Sequence, residues 1–100
     1  MSKCRITVLK RTVNEDLASE YLKSEGPLVV CDAFKDGQQF IAEGWDPPPG
    51  FCAWAWADLR GEIQALIAGA NYPHIKKPGV SICGCTDWFR PVIFKLERVD

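Results

Sequence analysis

Hydrophobic and polar residues alternate in two segments of the chain, residues 4–9 and residues 90–99. This period of two is typical of β-strands that bury one face. The residues predicted to share the buried faces are Cys4, Ile6, Val8, Val92, Phe94 and Leu96. Pro91 stands at the start of the second strand and favours an edge position, because proline cannot donate a ladder hydrogen bond.

A helical period replaces the alternation in two other segments. Asn14 is suited to cap a short first helix, with acidic residues in its first turn and Gly26-Pro27 as its end. The predicted apolar stripe of this helix is Leu17, Ala18, Tyr21 and Leu22. A longer helix is predicted over residues 52–68, because apolar residues recur there at helical spacing. Those residues are Trp56, Leu59, Ile63, Leu66 and Ile67.

Three shorter segments complete the predicted elements. Residues 28–31 are apolar and β-branched, residues 39–42 follow a turn at Gly37, and residues 80–85 are extended. The element order is therefore β-α-β-β-α-β-β. Two helices among short strands favour an α+β fold, in which a mainly antiparallel sheet is covered by the longer helix.

Composition limits the number of domains and the class of function. One hundred residues, 25 % of them charged and 47 % hydrophobic, predict a single globular domain over residues 1–100. The net charge of -1 argues against a nucleic-acid partner, which would favour a basic excess. No apolar stretch reaches the roughly 18 residues of a membrane span or forms a signal core, so we expect a cytoplasmic protein without a membrane partner.

Five cysteines are the first candidates for chemistry. Their number is odd, and a cytoplasmic protein is expected to keep them as thiols. Cys52 lies at the predicted start of the longer helix, where unpaired N–H groups and a partial positive charge favour the thiolate. The alternative is that Cys52 is a small core residue, since free cysteines are often buried.

A second candidate is the segment Cys83-Gly84-Cys85, with Asp87 and Arg90 close behind it. Residues two apart in a strand face the same way, so both sulfurs could reach one zinc or iron ion or one partner thiol. Two such thiolates, joined by Cys31 or Cys52, would give a metal site. Packing beneath the helix is the alternative, because a C-x-C spacing is weak evidence for a metal.

Four tryptophans in 100 residues are a third feature. Trp54 and Trp88 are candidates to line a ligand pocket next to Arg90, whose guanidinium could orient a carboxylate. Tryptophans are equally compatible with core packing or with a homo-oligomer interface. Asp58 and Arg60 are expected on a solvated helix face, and the single histidine, His74, in a solvated loop.

Several segments of the chain resemble the TIGR04076 family of small bacterial and archaeal proteins. The resemblance covers nearly the whole length. It rests on residues 6–12, 34–40, 50–55, 85–87 and 90–95. The resemblance implies that cysteines are usual at the positions of Cys31, Cys52 and Cys85, and it favours Cys52 and Cys85 as a joint site, but it implies no particular activity. Trp88 stands where a glycine often follows the aspartate that matches Asp87, and Cys83-Gly84-Cys85 replaces a tighter cysteine pair.

The sequence thus leads to two hypotheses, and it leaves open whether the protein is an enzyme. The first is a small-molecule-binding protein with a cysteine-based pocket, whose sulfur is a nucleophile, a redox group or a metal ligand. Its catalytic candidates are Cys52, Cys85 and Asp87, its binding candidates Trp54, Trp88 and Arg90, and its metal candidates Cys31, Cys52, Cys83 and Cys85. The second is a non-catalytic homo-oligomeric accessory module in which the cysteines only pack.

Overall fold

The computed structural model describes residues 2–23 and 28–100. Its elements in chain order are β1 (Lys3–Arg11), α1 (Glu15–Tyr21), β2 (Gln39–Ala42), α2 (Ala53–Ile67), β3 (Val80–Gly84) and β4 (Val92–Val99). The strands form one antiparallel sheet in the order β2-β1-β4-β3. The predicted α+β class with an antiparallel sheet is confirmed.

The core lies between α2 and one face of the sheet. The alternating residues of β1 and β4 all point into it, and the apolar positions of α2 meet them from the other side. The fully buried members are Cys4, Ile6, Val8, Leu59, Ile63, Leu66, Val92, Phe94 and Leu96. Phe34 enters from a loop and packs its ring 5.1 Å from those of Phe51 and Phe94. This aromatic cluster fixes the loop against the start of α2.

Three sequence expectations need correction. Residues 28–31 belong to no strand, so the sheet has four strands rather than five. Pro91 precedes the first residue of β4, and β4 is an interior strand, so the expected edge position of this strand is wrong. On α1 only Ala18 is buried, whereas Tyr21 is 72 % exposed, so the expected stripe does not form. The expected helix end at Gly26-Pro27 lies outside the described residues; α1 itself ends at Tyr21.

The sheet face opposite α2 carries charged residues at its centre. Glu97 accepts from Arg5 at 3.1 Å and lies 3.3 Å from Lys95. Ile41 and Ile82 flank this ion-pair network and are 43 % and 48 % exposed. In the described ranges, no helix has both the length and the hydrophobicity needed to cross a bilayer.

Candidate functional site

A cavity of about 200 Å³ opens where three parts of the chain meet. The first is the segment 31–34, the second is the start of α2, and the third is the loop 85–91 between β3 and β4. The polar and sulfur-bearing residues that line the cavity are Cys31, Asp32, Cys52, Cys85, Asp87 and Arg90. Phe34, Trp54, Ala55 and Val92 supply much of its apolar surface.

Cys52 lies at the N-cap position of α2. Its carbonyl accepts the first helical hydrogen bond, from the N–H of Trp56 at 2.9 Å. Its side chain makes no capping hydrogen bond to the described residues, and the residue is half-buried. No acidic residue occupies the first turn of α2. The thiol therefore lies at the positive end of a helix dipole that the helix's own side chains do not neutralise.

The loop 85–91 is held against α2 by Asp58. Its carboxylate accepts the backbone N–H of Thr86 at 2.7 Å and the Thr86 hydroxyl at 3.0 Å. The same hydroxyl accepts the indole N–H of Trp54 at 2.8 Å. Asp58 is half-buried and structural, so the expectation of a solvated position is wrong for this residue.

The other side of the loop 85–91 is fastened to the chain between β1 and α1. Asn14 donates its side-chain amide to the carbonyl of Trp88 at 2.6 Å and its backbone N–H to that of Phe89 at 2.8 Å. Thr12 donates both its N–H and its hydroxyl to the carbonyl of Pro91. Anchors on both sides fix where Asp87 and Arg90 lie in the cavity wall.

Asp87 and Arg90 form a loose ion pair inside that loop. One carboxylate oxygen of Asp87 accepts the backbone N–H groups of Phe89 and Arg90, each at 3.3 Å. The other oxygen lies 3.6 Å from Nε of Arg90. This separation exceeds a hydrogen bond, so the carboxylate orients the guanidinium without saturating it.

The segment 31–34 is held by Arg11 from β1. The guanidinium donates to the carbonyls of Cys31 and Phe34, both at 3.1 Å, and Nε donates to Asp36 at 3.0 Å. These bonds span about twenty residues of sequence and position Cys31 at the cavity. Arg11 itself does not line it.

Burial and position distinguish the cavity thiol Cys85 from Cys83 and Cys4, which lie elsewhere. Cys85 is 8 % exposed and its sulfur accepts the N–H of Val92 at 3.4 Å. Cys83 does not line the cavity; its sulfur lies 3.7 Å from the Ser81 hydroxyl, and burial raises the pKa of its thiol. Cys4 is fully buried, and burial raises the pKa of its thiol to about 11. Cys4 is therefore a core thiol, whereas Cys83 is half-buried and packs against the core.

The expected zinc or iron centre is not supported by these positions. Within residues 2–23 and 28–100, no three His, Cys, Asp or Glu side chains are close enough to hold a metal ion. Cys83 does not line the cavity that the other three members of the expected set line. The residues present therefore do not fit a thiolate metal centre, and no chemistry is derived through one.

Most of the residues singled out in the sequence meet at the cavity. Cys31, Cys52, Trp54, Cys85, Asp87 and Arg90 line it, whereas Cys83 and Trp88 do not. Trp88 is 66 % exposed. His74 is exposed in a turn, as expected.

Other residues that line or hold the cavity were not identified from the sequence. Asp32 and Phe34 line it, while Arg11 and Thr86 hold its segments in place. No local motif marks these residues. Their roles depend on contacts between distant parts of the chain.

Comparisons with known proteins found no match. Neither a family model, nor a curated protein, nor a solved structure matches the chain.

Proposed function

We propose that the protein binds a small molecule in this cavity and that Cys52 is the sulfur that reacts with it. The observation that carries the proposal is the convergence of three thiols on one cavity that is also lined by two carboxylates and a guanidinium. Cavities that combine apolar lining with a few convergent polar groups are the usual form of a ligand site.

Cys52 is the preferred nucleophile because of its position. It is more exposed than Cys85 and lies at the N-terminal end of a fifteen-residue helix, a position where reactive cysteines of other proteins are found. Cys85 supports it as a second sulfur in the same cavity. Asp87 acts on the site through Arg90, beside which it lies.

The size of the cavity limits the ligand. Sites for drug-sized molecules measure roughly 300–1,000 Å³. At about 200 Å³, this cavity suits a small metabolite rather than a nucleotide or a peptide. Trp54 and Phe34 provide apolar contact for its carbon skeleton, and Arg90 provides a polar contact.

Residue-resolved alkylation tests the proposal. Folded protein is treated with iodoacetamide at pH 7, and modification of each cysteine is followed by peptide mass spectrometry. Cys83 is an internal reference, because it is also half-buried but does not line the cavity. Since burial raises the pKa of the Cys83 thiol and slows it, the comparison that decides is the one with Cys52 in unfolded chain. We expect Cys52 to react at least tenfold faster than Cys83, and faster than the same residue in chain unfolded by urea. A Cys52 rate equal to or below its rate in urea would remove the nucleophile role.

The proposal takes the protein to act in the reducing cytoplasm. All five cysteines carry free thiols, which is the state that a reducing compartment maintains. The resemblance to TIGR04076 is part of this proposal, and it adds weight to Cys52 and Cys85 as a joint site without adding an activity.

A second candidate function is that of a homo-oligomeric accessory module. The observation that favours it is the sheet face opposite α2, where Ile41 and Ile82 are exposed beside the Arg5–Glu97 ion pair. A second copy that covered this face would bury both isoleucines. Size-exclusion chromatography with light scattering tests this function. A dimer that becomes a monomer in Ile82→Lys supports it, and a monomeric native protein at micromolar concentration rejects it.

A further inference from the structure

We infer that the cavity selects a small carboxylate, whose oxygens pair with the guanidinium of Arg90. This inference rests on the proposed function, because it names the chemical class of the molecule that Cys52 meets. The structural basis is a cavity-lining arginine whose donors are left unused by the described residues.

The other arginines of the chain are engaged elsewhere. Arg5 donates to Glu97, Arg11 to two carbonyls and Asp36, and Arg98 to the carbonyls of Leu66 and Ala70 at the end of α2. Arg60 lies over the ring of Trp45, at 5.4 Å from its centroid, on the outer surface of α2. The guanidinium of Arg90 donates no hydrogen bond to any residue in the described ranges.

The orientation of Arg90 leaves one edge of the guanidinium available. Nε lies 3.6 Å from Asp87, and the two terminal nitrogens donate no hydrogen bond to the described residues. A guanidinium edge with two parallel N–H groups matches a carboxylate in a bidentate pair. Lysine or a neutral donor would not reproduce this match.

The cavity lining strengthens such a pair. Phe34 and Val92 are buried and apolar, which lowers the local dielectric and makes a charged hydrogen bond stronger than in water. The two carboxylates of the lining, Asp32 and Asp87, oppose a further anion, but Asp32 is exposed to solvent and the carboxylate of Asp87 accepts two backbone N–H groups and lies 3.6 Å from Nε of Arg90. The Arg90 side chain is 36 % exposed, so we expect a moderate selectivity of about tenfold rather than a larger one.

Two alkylating agents of nearly equal size separate charge recognition from thiol reactivity. Iodoacetate is a carboxylate and iodoacetamide is its neutral counterpart. With either one the Cys52 thiolate forms a sulfur–carbon bond, the carbon–iodine bond breaks, and iodide leaves with the electron pair. The measured quantity is the ratio of the iodoacetate rate to the iodoacetamide rate at Cys52, divided by the same ratio in urea-unfolded chain.

We expect this normalised ratio to be about tenfold above one in the native protein and to fall to about one in Arg90→Gln. Arg90→Lys keeps the charge but lacks the two parallel N–H groups of the guanidinium, so its ratio should lie between these two values. Arg60→Gln is the matched control and should leave the ratio unchanged. Circular dichroism and the iodoacetamide rate establish that each variant is folded.

The outcomes distinguish this inference from the proposed function. Fast iodoacetamide modification of Cys52 without any preference for iodoacetate would overturn the carboxylate inference and leave the reactive thiol standing. A preference that persists in Arg90→Gln would also overturn it. Slow modification by both reagents would contradict the proposed function itself.

Discussion

Replacing Asp58 by alanine tests how the cavity is assembled. The substitution removes the acceptor for the N–H and the hydroxyl of Thr86, at 2.7 and 3.0 Å. Hydrogen bonds to a charged group contribute about 1.5–3 kcal/mol when buried. Thr86 is exposed, so water replaces part of the loss. We expect the pair of bonds to contribute about 1 kcal/mol to the free energy of unfolding, which corresponds to a fall of about 4–8 °C in Tm for a domain of this size.

The loosened loop should also expose Cys85, whose sulfur is held by the N–H of Val92 in the same region. Thermal unfolding followed by circular dichroism gives the change in Tm, and iodoacetamide mapping gives the rate at Cys85. Both bonds end on the same carboxylate oxygen, so Asp58→Asn, which keeps one acceptor oxygen but not the charge, should lose less stability than Asp58→Ala. Asp46→Ala, at an exposed position, is the control and should change stability by less than about 0.5 kcal/mol. An Asp58→Ala protein with unchanged Tm and an unchanged Cys85 rate would refute this account of the loop.

Two further predictions concern the hydrogen bonds of Arg11 to the segment 31–34 and the ion pair of Glu97 on the sheet. Arg11→Met leaves the carbonyls of Cys31 and Phe34 without their donor, so the free energy of unfolding measured in urea should fall by about 1–3 kcal/mol. Alkylation at Cys31 should accelerate more than alkylation at Cys52. Equal acceleration at both cysteines would contradict a local anchor. The hydrogen bond from Arg5 holds the pKa of Glu97 below its usual range, with Lys95 adding to the effect. Because the folded pKa is lowered, the ionised Glu97 stabilises the protein above the unfolded pKa of about 4.3. This stabilisation is lost as the pH falls through the folded pKa. Urea unfolding should show Glu97→Gln less stable than the native protein at pH 7, with the gap closing in acid; a gap independent of pH would contradict the sign.

The sheet and α2 could be predicted because their signals are local and repeated. Val92, Phe94 and Leu96 alternate without interruption, and each is fully buried. The periodic positions of α2 lie on its buried face in the same way, apart from Ile67, which is half-buried. A period of two or 3.6 reports which face is buried, and the structure buries those faces.

The errors arise where a local pattern lacks a tertiary partner. The segment 28–31 has the composition of a strand, but β1 pairs with β2 on one side and β4 on the other, so no interior position remains for it. Tyr21 has helical spacing in α1 and still points to solvent. Propensity indicates that a segment could be extended or helical, and packing decides whether it is buried.

The cavity was predictable only in part. The placement of Cys52 at a helix start and the proximity of Cys85 to Asp87 and Arg90 in sequence indicated two of its three sides. The third side, with Cys31, is brought in by Arg11 through bonds that cross about twenty residues. Sequence spacing carries no signal for such a contact. It also could not show that Cys83 lies beside Ser81 and not at the cavity with Cys85.

The most direct test of the account is whether one adduct on Cys52 shields the other two cavity thiols. Cys52 is first modified with N-ethylmaleimide under limiting conditions, and the remaining cysteines are then alkylated with labelled iodoacetamide and mapped. If Cys31 and Cys85 share the cavity of about 200 Å³ with Cys52, their rates should fall several-fold while that of Cys83 stays the same. Unchanged rates at Cys31 and Cys85 after Cys52 is blocked would show that the three sulfurs do not open onto one site.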